Sequence, residues 1–193
     1  FLIGDVSGKG VPASLFMAIT RSLFRTLSQH VLSPAKIVTE MNNSISDNNE
    51  SNMFVTLIVG ILDLETGILK LCNAGHNPPI LIYPDGQVSY LEFKTQIFVG
   101  VVEDFKYSDE EVVLEKESKL FLYTDGVTEA ENINKELYGE EKLLEMLSDN
   151  ASSDVRTTVN VVVDSIASHV KEAEASDDLT ILLIQYEPGT ANS

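Results

Sequence analysis

Apolar positions in the first quarter of the chain recur at helical spacing. Val11, Leu15, Ile19, Leu23 and Leu27 return every four residues, which predicts one helix with a single apolar stripe and Pro12 in its first turn. Ser33-Pro34 marks a second helix start, Ser33 as N-cap and Pro34 at the first helical position. Ile37 or Val38, Met41 and Ile45 give its buried face, and the polar run Asp47 to Asn52 ends it. The two helices are expected as antiparallel neighbours on a sheet. Then the period changes. MFVTLIVGIL is a nearly continuous β-branched and aromatic run, a strand covered on both faces. Asp63 to Gly67 turns the chain, and ILKLCNA returns as a strand. PILIY and QVSYLEF flank Pro84-Asp85-Gly86, a hairpin pattern. Phe98 to Val102 and Glu111 to Leu114 are shorter strand candidates, and Lys119 to Tyr123 a firm one. Glu140 to Leu147 reads as a short helix. Val155, Val159, Val162, Val163, Ile166 and Val170 keep helical spacing despite their β-branched side chains. LTILLIQY is the last strand. Hairpin-joined strands with helices outside them predict a layered α+β domain without repeats or internal linkers.

The opening, FLIGDVSGKGVP, poses a chemical choice. A phosphate-gripping loop needs four residues between its glycines, then Lys, then Ser or Thr. Here Gly4 and Gly8 enclose three, and Lys9 is followed by Gly10, so the hydroxyl that would bind magnesium is missing. The alternative is a strand, Phe1 to Ile3, that delivers Asp5 at its end. Two further acidic positions abut apolar strands: Asp125 follows LFLYT, and Asp177-Asp178 precede LTILLI. The first two would leave carboxyl ends and the third an amino end. If the last strand runs antiparallel to the other two, all three meet at one edge of the sheet. Clustered carboxylates repel one another unless a cation neutralises them. Oxygen ligands without His or Cys select magnesium or manganese over zinc. Two such ions roughly 3.5–4 Å apart can activate a water and grip a phosphoryl group. Gly4 and Gly126, beside Asp5 and Asp125, would let the backbone come close to the metals. An isolated Asp-Gly is usually a turn, and Asp177-Asp178 alone could simply cap a strand.

Composition narrows the partners. The 193 residues suffice for one domain with a large core, and 44% hydrophobic with 22% charged residues is ordinary for a globular protein. A formal charge of −17 argues against a nucleic-acid partner. No apolar run approaches the about twenty residues that cross a bilayer, so no direct membrane insertion is expected, and no signal peptide is visible. The single cysteine, Cys72, sits in an apolar strand and is expected to be a buried structural thiol in a reducing, cytoplasmic setting. The chain opens without methionine and already in mid-strand, so a piece of a longer protein is expected.

GDVSGKGVPASL, NAGHNPP, LYTDGVTEA and DDLT, in this order, resemble the metal-dependent serine/threonine protein phosphatases (the PPM family), most closely the bacterial SpoIIE-like and RsbU-like branch. The resemblance spans Phe1 to Tyr186. It implies a four-layer α-β-β-α sandwich, two antiparallel sheets flanked by helices, with two manganese or magnesium ions at one end. It implies a phosphatase domain over 1–187 that lacks its upstream start, and a loose tail over 188–193. Asp5 then resembles the carboxylate bridging both metals, with the Val6 carbonyl as a further ligand. Asp125 and Asp177 resemble ligands of the first metal, and Asp178 a supporting ligand. A water held between the metals would attack phosphorus without a phospho-enzyme. Lys9 and His76 are candidate substrate contacts. An exposed loop lysine and a turn-bonding histidine are the plainer readings of these two, and His30 and His169 are expected as ordinary helix residues. Eukaryotic members carry a candidate acid, His, where this chain has Ser7, and the family's upstream acidic hairpin residue is absent, so low activity is expected from these residues alone. Gly100 in FVGV resembles a turn near the metal edge and, with the first two helices, a switch element. The implied function is a cytoplasmic phosphoprotein phosphatase acting on phosphoserine or phosphothreonine of an anti-sigma-factor-antagonist-like protein, under an upstream sensory or regulatory domain. The alternative is a non-catalytic module of the same fold that binds a regulator.

Overall fold

The computed structural model describes residues 1–47, 49, 52–173 and 177–188. Its chain divides into two compact units, Phe1–His76 with Phe93–Val113, and Asn77–Glu92 with Leu114–Ser193. Each is a four-stranded antiparallel sheet carrying two helices.

In the first unit the sheet order is β1-β2-β3-β6, from β1 (Leu2–Val6), β2 (Val55–Leu62), β3 (Ile68–Ala74) and β6 (Glu110–Val113). Helix α2 (Pro34–Ser46) packs on β2 and β3, and α1 (Val11–Leu27) packs on α2 and β1. Ser33 caps α2 as expected, accepting the Lys36 N–H. Asp109 adds a second hold from the approach to β6: it accepts the Ser33 hydroxyl at 2.7 Å and the Ala35 N–H. Ile37, Val38, Met41 and Ile45 meet Val55, Leu57, Val59, Cys72 and Ala74 in a closed apolar core. Cys72 is fully buried, and burial pushes its thiol up to about 12, so it stays protonated and inert.

In the second unit the order is β5-β4-β7-β8, from β4 (Ile80–Ile82), β5 (Val88–Tyr90), β7 (Lys119–Tyr123) and β8 (Ile181–Gln185). The β4–β5 hairpin closes at Pro84-Asp85-Gly86, where Gly86 takes φ +90°. Helices α3 (Glu140–Asp149) and α4 (Val155–Val170) pack on one another and on β5 and β8 respectively. Lys119 is buried, with its ammonium donating to the Ala151 and Ser153 carbonyls in the α3–α4 turn. Asp154 caps α4 through the Thr157 amide and hydroxyl. These two bonds hold its carboxyl below the ordinary carboxylate range. A lowered folded pKa means that the fold favours the charged form. Its contribution is present above the unfolded carboxylate pKa and is lost as pH falls through the folded one. Urea midpoints at falling pH are therefore expected to drop less steeply in Asp154→Asn than in wild type.

Several expectations change. Phe98 to Val102 is not a strand. Val99 makes one bridge to Val55, and Gly100 turns the chain at φ +95°. Buried Asn42 of α2 clamps that turn, accepting the Gly100 N–H and donating to the Val102 carbonyl. The α1 stripe is half right: Leu23 and Leu27 pack on the core, whereas Val11, Leu15 and Ile19 are 72%, 61% and 54% exposed. Phe16 and Phe24 take the inward places instead. His30 lies beyond the end of α1, not within it. Of the polar run after α2, residues 48, 50 and 51 lie outside the described residues, as does the expected tail from 189 onward.

Candidate metal and phosphoryl site

Strand β1 runs on past Ile3, so Asp5 sits inside it, directly opposite Thr56 of β2. Directly opposed residues of an antiparallel pair face the same side of their sheet. Gly4 is required here: a Cβ would lie 2.7 Å from the Thr56 carbonyl and 2.9 Å from Leu57 Cβ. Beyond Val6 the ladder is extended by Ser7, whose N–H donates to the Phe54 carbonyl at 2.9 Å while its Oγ accepts the Phe54 N–H at 2.9 Å. Ser7, at the position where the resemblance leads one to expect a candidate acid His, thus holds the strand end. Lys9 is exposed in the following loop, between Gly8 and Gly10, both at positive φ.

His76 is 4% exposed. Its ring Nδ1 lies 2.9 Å from Thr56 Oγ1. Its backbone is cradled by Asn73, which accepts the His76 N–H at 2.8 Å and donates to the His76 carbonyl at 3.0 Å. Gly75, at φ +78°, leaves room for the Phe98 ring, which stacks on Phe54 at 5.0 Å.

In the second unit, β7 and β8 are antiparallel, so Asp125 at the carboxyl end of β7 and Asp177-Asp178 at the approach to β8 share one sheet edge, as the sequence predicts. The Thr124 N–H donates to the Thr180 carbonyl at 3.1 Å, and the Thr180 N–H donates to Thr124 Oγ1 at 3.2 Å. The Asp125 carbonyl accepts the Glu129 N–H at 2.8 Å, which folds TDGVTE into a tight turn. A Cβ on Gly126 would stand 2.3 Å from the Asp178 carbonyl oxygen. Asp177 Oδ1 accepts the Asp178 N–H at 2.8 Å, and both residues are exposed. Asp125 Oδ1 is shut off from water and meets no hydrogen-bond donor. A carboxylate oxygen left so is costly unless a cation faces it.

The expectation of one shared sheet edge for all three carboxylates needs correction: β1 belongs to the other sheet, because its partner is β2. At Gly4 and Gly126 the room that their missing side chains leave is filled by the neighbouring residues Thr56, Leu57 and Asp178. Two residues escaped the sequence reading. Thr56 is the one polar side chain within MFVTLIVGIL, a visible signal. The Ser7 clamp shows only once Phe54 is known to be its partner.

A family model described as Stage II sporulation protein E (SpoIIE) matches residues 1–187. The chain belongs to the SpoIIE family. Phosphoserine phosphatase RsbU of Bacillus subtilis is 26% identical over 95% of this SpoIIE-family chain and 54% of its own length. The chain spans between 33% and 54% of the length of three curated relatives it matches, RsbU among them. Among solved structures, the SiaA-PP2C domain of Pseudomonas aeruginosa superposes with a TM-score of 0.81 at 24% identity, covering 96% of this chain and 76% of that one. RsbX in complex with magnesium matches with a TM-score of 0.67 at 18% identity, over 95% of this chain and 79% of that one. The expected SpoIIE/RsbU-like phosphatase family and the expected α+β sandwich therefore both hold. Among the described residues, no helix is long and apolar enough to cross a membrane.

Proposed function

We propose that residues 1–187 form the catalytic domain of a phosphoprotein phosphatase for phosphoserine or phosphothreonine, with Asp5, the Val6 carbonyl, Asp125 and Asp177 as ligands of manganese or magnesium and Asp178 in support. The observation that carries this reading is Asp125 Oδ1, a buried anionic oxygen with no donor, next to a turn in which only glycine fits. The donor set suits a hard cation: Asp5, Asp125 and Asp177 are all carboxylates, with no His or Cys among them. The names of the RsbU and RsbP relatives support phosphoserine as the substrate class. Divalent ions bound there supply Lewis acidity, acidifying a water and neutralising charge on the phosphoryl oxygens.

The chain's own residues do the rest. Asp5, Asp125 and Asp177 set the number of negative charges that the ions must balance. The Thr124–Thr180 bonds and the Ser7–Phe54 bonds keep each half of the donor set rigid before any ion arrives. Lys9, exposed between two glycines, is the candidate contact for an incoming phosphate. Two ions, an anti-sigma-factor-antagonist-like substrate protein, an upstream regulatory domain and a cytoplasmic location complete the proposal. The test is hydrolysis of an aryl phosphate and of a phosphoserine peptide. With millimolar manganese both are expected to turn over, and with EDTA in its place neither. Rates that are equal in manganese and in EDTA would end the proposal.

A further inference from the structure

The buried histidine has no place in the chemistry just described, yet burying an imidazole is costly unless its nitrogens are satisfied. The loop that carries it is fixed by the paired bonds to Asn73 and by the left-handed turn at Gly75. That fixed loop holds Nδ1 2.9 Å from Thr56 Oγ1, and Thr56 Oγ1 lies 3.4 Å from the Asp5 carbonyl oxygen. In the Nδ1–H tautomer of His76 the ring donates to Oγ1, and the Thr56 hydroxyl donates to the Asp5 carbonyl, which can only accept: a directed chain, Nδ1–H to Oγ1–H to the carbonyl of Asp5. One residue beyond Val6, the Ser7–Phe54 pair pins the other end of the same short segment. Asp5 and Val6, the two first-unit ligands proposed above, lie between these two clamps.

We propose that His76 is a positioning residue, which acts through the Thr56 hydroxyl to hold Asp5 and Val6 in the geometry that binds the ion. This rests on the metal-site reading of Asp5 and Val6. Outer hydrogen-bond partners of metal ligands set ligand orientation, and their loss typically weakens binding about 10–100-fold.

The test measures manganese binding by the 193-residue chain, from loss of the free-ion electron paramagnetic resonance signal. Thr56→Val keeps the shape and suits a strand, but removes the hydroxyl. It is expected to raise the dissociation constant about 10–100-fold, whereas Thr56→Ser stays close to wild type. His76→Phe is expected to match Thr56→Val, and the double variant to be no worse than either alone, because both break the same chain. His76→Asn, which keeps a donor near the Nδ1 place, is expected to recover part of the affinity. Asp125→Asn is the control for the site itself. If Asp125→Asn loses binding while Thr56→Val and His76→Phe bind like wild type, His76 is merely structural and this inference falls alone. If His76→Phe does not fold, Thr56→Val against Thr56→Ser decides. If wild type and Asp125→Asn bind manganese equally, the metal site falls and takes this inference with it.

Discussion

Asp125→Asn is expected to lower manganese-dependent hydrolysis of an aryl phosphate by about 10³-fold or more, while the metal-free protein melts no lower than wild type. The two halves of this result have separate causes. Asp125 holds its own turn through its backbone carbonyl, which takes the Glu129 N–H and the Thr128 hydroxyl, and an amide side chain leaves both bonds intact. The carboxylate makes no such contribution, since Oδ1 is buried without a donor. Removing its charge relieves a desolvated anion, so folding without metal should be unchanged or easier. Losing an anionic ligand forfeits charge stabilisation worth several kcal/mol in the transition state. About 4 kcal/mol corresponds to about 10³ in rate. Rate and thermal midpoint, measured side by side, separate the cases. An unchanged rate removes Asp125 from the chemistry, and a fall in both would make it a structural residue.

Gly126→Ala is expected to damage stability and activity together. The added methyl would stand 2.3 Å from the Asp178 carbonyl oxygen, and the obstacle is backbone, not a side chain that can swing away. Either the TDG turn or the Asp177-Asp178 segment has to move. Overpacking of this kind costs about 1–3 kcal/mol. About 2 kcal/mol lowers the melting temperature by about 4–8 °C in a domain of this size. The shift also displaces Asp177 relative to Asp125, so the rate should drop well below the midpoint, where the protein is still folded. A variant with wild-type melting and wild-type rate would show that the two segments are not held this closely.

The chemistry of this chain was easier to read than its geometry. TDG and DDLT announced strand ends bearing carboxylates because apolar runs stop at them, and the β7–β8 pairing puts both on one edge. The membership of β1 was not legible. Its partner β2 lies about fifty residues downstream, across two helices, and nothing local in FLIGDV encodes that choice. Phe98 to Val102 failed as a strand for a related reason: its composition favours one, but Asn42 from a distant helix holds Gly100 in a turn. The α1 stripe misled because period alone locates a face without saying how much of it is covered. Thr56 is a lone hydroxyl in an apolar run that pattern reading passes over, because its meaning depends on Asp5 and His76, each brought to it by pairing and by a loop.

The uneven cover of α1 shapes how this protein comes apart locally. Along its 17 residues only Thr20 is wholly buried, and the exposed Val11, Leu15 and Ile19 belong to its first half. Melting those first turns uncovers little new oily surface, while melting α2 would open a closed core. Fraying therefore starts next to Gly8 and Gly10 and leaves the sheet beneath intact. The loop from Gly8 into α1, beyond the Ser7–Phe54 bonds, can loosen and re-form many times for each global unfolding event.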